Sequence, residues 1–362
     1  MKILHIGRNV GSQMTISVQA LRSIGERARG IAMPLPGEIY SSQSGLEMPP
    51  PWRDRRSIGW FVDHSRRYWK ILSAIAWADV IHWHFAAGFL RNDLDLRWPR
   101  FLGKPGVIEF WGSDIRIAKI EAMDNPYFAR YAPADYLNRQ SEARSRQAQE
   151  QFSAAGLRCL IGCKSTLPHV YKELYPAIYL IRQRMILEDY TPQFPDPGKK
   201  TPLIVHCPSN PKLKGTEFVL AAVETLRQKH DFEFRLIHDM SHQEAIAAIA
   251  SADIFVDQIL FGYHGIAAIE GMALGKPTVC YIKDTMMAQY PSELPLVNAT
   301  PDTIQEVLAN LIQDGALRHD LGVRGRAYAE KHHDSVKLAR ELRAMYAELI
   351  GKSQPGSNCC RL

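Results

Sequence analysis

One stretch restricts the fold more than any other: residues 252–279, ADIFVDQILFGYHGIAAIEGMALGKPTV. It reads as strand, glycine loop, helix, turn and strand, which is the βαβ unit of a parallel sheet. A helix that opens at a glycine loop turns free amides, and the positive end of its dipole, toward whatever lies in front of it. Such an end is a seat for an anion, phosphate above all. Glu270 falls about one turn inside this helix. It is too far in to cap the helix and suitably placed to accept hydrogen bonds from a sugar beside that phosphate.

The rest of the chain keeps the same rhythm. Short apolar runs that do not alternate are the pattern of parallel strands covered on both faces. They occur at Lys2–Ile6, Val80–His84, Val107–Trp111, Arg158–Ile161 and Ile178–Ile181. A second series comprises Leu203–His206, Glu233–Ile237, Ile254–Val256, Pro277–Tyr281 and Leu294–Val297. Helix signals lie between them: Ser241-His-Gln-Glu244 fits a capping box, and Thr300-Pro301-Asp302 places a cap before proline. At 362 residues the chain is long for one core. The expected class is doubly wound α/β in two domains. The proline-rich stretch at 188–201 reads as the linker, between an N-terminal domain at 1–187 and a C-terminal domain at 202–330. A helical run, Arg318–Ile350, is long enough for its last part, 331–350, to return to the first domain. Residues 351–362 read as a disordered tail.

Composition narrows the classes. The net charge of +6 is spread widely, which is weak grounds for nucleic-acid binding. Apolar content of 46% is ordinary for a globular protein, and no apolar window reaches the ~18 residues a membrane-spanning helix needs. Met1-Lys2 runs directly into an apolar strand rather than into a leader pattern. The six cysteines lack zinc-like pairing, so reduced thiols and a cytoplasmic chain are expected. Cys359-Cys-Arg-Leu362 has the form of a prenylation box, but it reads rather as the end of a plain polar tail.

A second glycine turn follows Leu203–His206. There Lys214-Gly215 places a mobile cation at a strand-to-helix junction, and in a parallel sheet it shares the ligand-binding edge with the Gly262–Gly265 loop. Together these segments resemble the donor-site signature of retaining GT-B glycosyltransferases, and more narrowly family four (glycosyl transferases group 1). The resemblance implies two Rossmann-like domains facing a cleft, the first holding the acceptor and the second a nucleotide sugar. It places the nucleotide ribose on Glu270, the diphosphate on the amides of Gly265 and Ile266, and the family's Lys-Gly on Lys214 and Gly215. Two departures stand out: the family's first glutamate falls on Gly262, and its arginine falls on Ser209. Asp257 is the nearby carboxylate able to substitute; Gln258 and His264 are neutral alternatives.

In the first domain, His82 and His84 lie two apart on a strand. That spacing suits a metal, but no third ligand is obvious nearby. By resemblance His84 takes the place of a histidine that contacts the transferred sugar, and otherwise it is a packed histidine. Asp114 follows a further strand, as a cleft-wall residue or a helix N-terminal one. The loop Gly7-Arg-Asn-Val-Gly11 lacks the dinucleotide spacing, and the resemblance brings Gly11 toward the donor phosphates. Asp93-Leu-Asp95 has the look of an acid pair in an exposed loop.

The catalytic expectation is therefore Lys214, His84 and Asp114. Donor contacts are expected from Glu270, Gly265, Ile266, His264, Asp257, Gly215 and Gly11. The implied activity is retaining transfer of a hexose from a UDP- or GDP-hexose to a glycan, lipid-linked or small-molecule acceptor, with no cofactor and no metal. The alternatives are a catalytically silent GT-B binding or partner protein and, from weaker signals, a nucleotide-dependent oxidoreductase. Finally, residues 52–70 mix six basic residues with five aromatics. Ile58, Phe61, Val62, Ser65, Trp69 and Leu72 form one helical stripe. This reads either as a helix with that stripe on the sheet, or as peripheral contact with the inner face of a membrane.

Overall fold

The computed structural model describes residues 1–33, 45–47, 58–351 and 360–362. The chain forms two units, each an all-parallel sheet between helices. The first comprises Met1–Arg116, Glu142–Arg184 and Ser335–Leu362; the second comprises Ile117–Ser141 and Met185–Asp334.

The first sheet contains β1 (Lys2–Gly7), β2 (Arg27–Ala32), β3 (Val80–His84), β4 (Gly106–Phe110), β5 (Arg158–Ile161) and β6 (Ile178–Leu180), in the order β2-β1-β3-β4-β5-β6. β3 and β4 are buried along their whole length, as central parallel strands must be. One face packs under the Ile58–Trp77 helix through Ile71, Ala74, Ile75 and Ala78. The other packs under the Gln13–Ser23 and Ser335–Leu349 helices through Leu21, Leu338, Leu342 and Tyr346. β2 escaped the sequence reading because Arg27-Ala-Arg-Gly lacks an apolar run. It is an edge strand, covered by backbone bonds with Glu47.

The second sheet contains β7 (Leu203–His206), β8 (Glu233–Leu236), β9 (Ile254–Val256), β10 (Thr278–Cys280) and β11 (Val297–Asn298), in the order β11-β10-β9-β7-β8. Strand order reverses between β1 and β3 in the first unit, and between β7 and β9 in the second. Such reversals are where ligands enter open parallel sheets.

The structure corrects four expectations. Ile117–Ser141, expected in the first domain, belongs to the second unit. Phe128 packs there with Leu213 and Phe261, and Asn125 Nδ2 donates to the Leu260 carbonyl at 2.8 Å. The stretch at 188–201 is not a free linker but part of the second unit: the Arg326 and Arg318 guanidiniums donate to the carbonyls of Tyr190 and Lys199. The run Arg318–Ile350 is two helices, Gly315–His332 in the second unit and Ser335–Leu349 in the first. Finally, residues 360–362 run along β6, with Leu180 donating to the Cys360 carbonyl and Leu362 to that of Ile178. Cys359 lies outside the described residues.

Candidate functional site

The second unit's strand reversal is built from two loops. After β7, a one-turn helix, Pro211–Lys214, is capped by the Asn210 side chain, which accepts from the Leu213 amide. Gly215 then turns with φ +76°; a Cβ there would come within 2.6 Å of Ile259, so the position requires glycine. After β9, the Ile259 amide donates to the Lys214 carbonyl and Gln258 Nε2 donates to the Tyr263 carbonyl, fixing the glycine loop against its neighbour. The sheet thus brings Lys214 and Asp257 together, 43 residues apart in sequence, as a hydrogen-bonded ion pair. Ser209 is exposed and supplies no charge here.

The Ile266–Ala273 helix starts at this edge with no side-chain cap. Its N-terminus lies where the anion seat was expected, at Gly265 and Ile266. An internal carboxylate lies beside it: Asp257 Oδ2 is buried without a hydrogen-bond partner, and a Cβ built on Gly265 would sit 4.0 Å from it. Glu270 is only 7% exposed. Its Oε1 accepts from His242 Nε2 at 2.6 Å and from the Tyr190 hydroxyl at 3.2 Å. The bond to Glu270 raises the His242 pKa against the opposing effect of burial. Sequence reasoning missed both partners, because neither lies within 25 residues of Glu270 and neither sits in a motif. His264 is buried, its ring 4.7 Å from that of Tyr290.

Gly262 holds φ +76°, and a Cβ there would meet Asn125 and Lys283 at 3.1 Å. Where the resembled family carries a glutamate, this chain carries a crowded left-handed turn. Lys283 Nζ is engaged by Asp124 at 2.7 Å and by Glu121 at 3.4 Å.

The first unit's reversal is a buried hydrogen-bonded cluster, with His84 Nδ1 and Arg184 Nε left without hydrogen-bond partners. In the parallel register His5 lies opposite His82, and His84 opposite Glu109, so all four share one face of the sheet. Arg184 donates to both oxygens of Glu109 at 2.9 Å. His82 Nε2 lies 3.1 Å from Glu109 and its Nδ1 lies 2.6 Å from the Tyr346 hydroxyl; His5 Nδ1 lies 2.9 Å from His84 Nε2. If His82 Nε2 donates to the carboxylate, Nδ1 accepts from Tyr346. Burial is the first cause that lowers the pKa of all three histidines, and Arg184 adds to it, while Glu109 opposes it at His84. His5 is the third histidine that spacing within one strand could not show. One ring nitrogen of each of His5, His82 and His84 lies within 4.8 Å of the others, while the His82 and His84 rings stack at 4.2 Å with planes 7° apart. Lone pairs lie in the ring planes, so these run side by side rather than converging.

His84 has no exposed surface, which corrects the expectation of direct sugar contact. Asp114 accepts from the amides of Ala86 (3.1 Å) and Trp111 (3.0 Å), holding the loops after β3 and β4 together. Burial pushes its carboxyl up to about 6 against those two bonds. Gly11 turns with φ +53°, and the helix that follows is closed by Asn9, whose Oδ1 accepts from the Met14 and Thr15 amides. Asp95 is buried and accepts from the Phe89 amide, so the Asp93-Leu-Asp95 pair is not an exposed loop.

No family model and no curated protein matches the sequence. Solved structures do match over nearly the whole chain. Sucrose-phosphate synthase from Thermosynechococcus elongatus is 13% identical, covering 97% of this chain and 99% of its own, with TM-score 0.62. WaaG, a glycosyltransferase involved in lipopolysaccharide biosynthesis, is 11% identical, covering 96% and 100%, with TM-score 0.59. Anabaena HepE, solved in complex with UDP-glucose, is 16% identical, covering 96% and 100%, with TM-score 0.52. The fold is GT-B: two Rossmann-like units, as in these glycosyltransferases.

Proposed function

We propose that the protein is a glycosyltransferase that takes a hexose from a nucleotide-activated donor, UDP- or GDP-linked, and moves it to an acceptor with retention of configuration. One observation carries this reading. The only strand reversal in the second unit gathers a lysine, an uncapped helix end and an inward acid, which are the groups a sugar nucleotide needs. Lys214 turns from Asp257 to the diphosphate, the amides of Gly265 and Ile266 receive its oxygens, and Glu270 Oε2 takes the ribose diol. The acceptor oxygen bonds to the anomeric carbon as the sugar–phosphate bond breaks, and the acceptor proton passes to the departing diphosphate. Stabilising that leaving group is the main catalytic work, and it needs no metal in this scheme. The first unit serves the acceptor, which is a glycan, a lipid-linked sugar or a small molecule.

A second reading, a catalytically silent GT-B binding protein, is favoured by two observations: Gly262 has no room for the family's acid, and Lys214 is held by an internal carboxylate. A thermal-shift series with UDP- and GDP-hexoses, followed by product analysis, separates the two. Donor at 100 times its Kd adds about 2.7 kcal/mol to stability. On the transferase reading, Lys214→Ala lowers kcat by about 10²–10³, and Glu270→Ala weakens nucleotide binding about tenfold. Donor binding without turnover selects the silent protein, and no shift with any nucleotide sugar removes both.

A further inference from the structure

Of the two readings of the Ile58–Trp77 helix, stripe on the sheet or stripe outward, the structure turns Phe61, Val62 and Trp69 outward, while Leu72 packs against the core. Phe61 is 63% exposed, Trp69 76% and Val62 45%, with Ser65 and Ser73 between them. The sheet is met instead by Ile71, Ala74, Ile75 and Ala78, and by Arg67, which is buried. The neighbouring Leu94–Phe101 helix adds Phe101, 78% exposed, beside a cleft of about 910 Å³ lined by Leu94, Leu96, Trp98, Phe101 and Ala154. The two segments are tied by the Tyr68 hydroxyl, which accepts from the Arg91 amide.

The fully exposed charges on this surface are positive, while Asp93 lines the cleft half-buried. Arg66, Arg91, Arg97 and Arg100 are exposed. Among the described residues of the two helices, the acids are withdrawn: Asp95 is buried and Asp63 half-buried. An exposed Trp/Phe stripe edged by arginine is uncommon on a water-facing helix and marks a contact surface. A two-fold contact between copies would set these arginines against their own images, with no exposed acid on either helix to answer them. A surface of phosphate headgroups over acyl chains answers both parts: guanidiniums meet phosphates, and aromatic rings sink to the headgroup boundary. No helix among the described residues is long and apolar enough to cross a membrane, so the contact is peripheral.

We infer that the Ile58–Trp77 and Leu94–Phe101 helices form a docking face for an anionic lipid bilayer, with Phe61, Val62, Trp69 and Phe101 entering the interface and the four arginines binding headgroup phosphates. This inference does not depend on the proposed transfer chemistry. The test is co-sedimentation of the full chain with vesicles of phosphatidylcholine alone and with about one third phosphatidylglycerol, at low and high salt. Size-exclusion chromatography without lipid runs in parallel. Binding to the anionic vesicles is expected to exceed that to neutral ones by at least about tenfold at low salt and to fall as salt rises. Phe61→Ser with Trp69→Ser, both at exposed positions, is expected to reduce it about tenfold while leaving circular dichroism and nucleotide binding unchanged. Arg97→Gln with Arg100→Gln is expected to abolish the preference for anionic vesicles. Equal sedimentation with both vesicles, wild-type sedimentation of the Phe61/Trp69 variant, or a lipid-free dimer that this variant dissolves would overturn the proposal. The last outcome would assign the face to self-association.

Discussion

The two units solve the same topological problem in opposite ways. Each has one strand reversal, and each puts a loop, a helix start and charged groups there. In the first unit most of these groups are answered from within, although His84 Nδ1 and Arg184 Nε have no hydrogen-bond partner. Asn9 closes the helix, Arg184 takes both oxygens of Glu109, and the three histidines bond to one another, to Glu109 and to Tyr346. In the second, the helix start has no side-chain cap and Asp257 leaves one oxygen unpartnered. A densely paired polar network rigidifies a fold, whereas an uncapped helix start at a sheet edge is a place for an anion to bind. On the proposed function, similar folds give a structural centre in one half and a receptive one in the other.

The contrast can be broken most forcefully at Glu109. Replacing it with alanine strands the Arg184 charge in the interior and is expected to cost about 3–5 kcal/mol in chemical denaturation. Lys214→Ala leaves the buried Asp257 carboxylate without its cation and is expected to cost less, about 1–3 kcal/mol in the same assay, because Lys214 is itself partly exposed and water can take its place. Comparable losses from the two variants would mean that the second site is as structural as the first. A smaller effect sharpens the role of Asp257. Asp257→Asn releases Lys214, and calorimetric titration with UDP or GDP should show affinity rising about fivefold, the worth of a modest ion pair. Weaker binding would instead make Asp257 a direct donor contact.

The smallest effect concerns His242. Its pKa is raised in the folded state by Glu270, so the bond's contribution is complete below the unfolded value of ~6.5 and fades as pH rises through the higher folded value. Stability of the wild type should therefore decline across that window, while His242→Gln should show a flatter profile. Identical pH profiles would show that the two residues are not coupled.

Local signals carried most of the fold. The Ser241–Glu244 capping box forms as its spacing indicates, and the central strands fall where unbroken apolar runs lie. The Lys214 and Gly265 loops meet because sheet topology places consecutive strand ends on one edge. What escaped was set by distance along the chain. Glu270 is held by Tyr190 from 80 residues away, and the Glu109–Arg184 pair spans 75. No periodicity reports such pairings. The Ile117–Ser141 excursion was also invisible, since its anchor, Phe128, looks like any aromatic in a short helix. Patterning alone left the Ile58–Trp77 stripe undecided between core and surface for a different reason. Hydrophobic patterning assumes that the apolar side faces the core, and here alanine and isoleucine fill that side while the larger rings face out.

The segment division also dictates an order of events during synthesis. The chain passes between units four times, and the first sheet's histidine cluster is finished only by Tyr346. The amino-terminal half therefore waits on the ribosome for the last thirty or so residues, while the later half needs only the earlier Ile117–Ser141 excursion to be complete. A nascent chain stopped short of Ser335 would carry a finished second unit and an open first one, the reverse of the usual vectorial sequence.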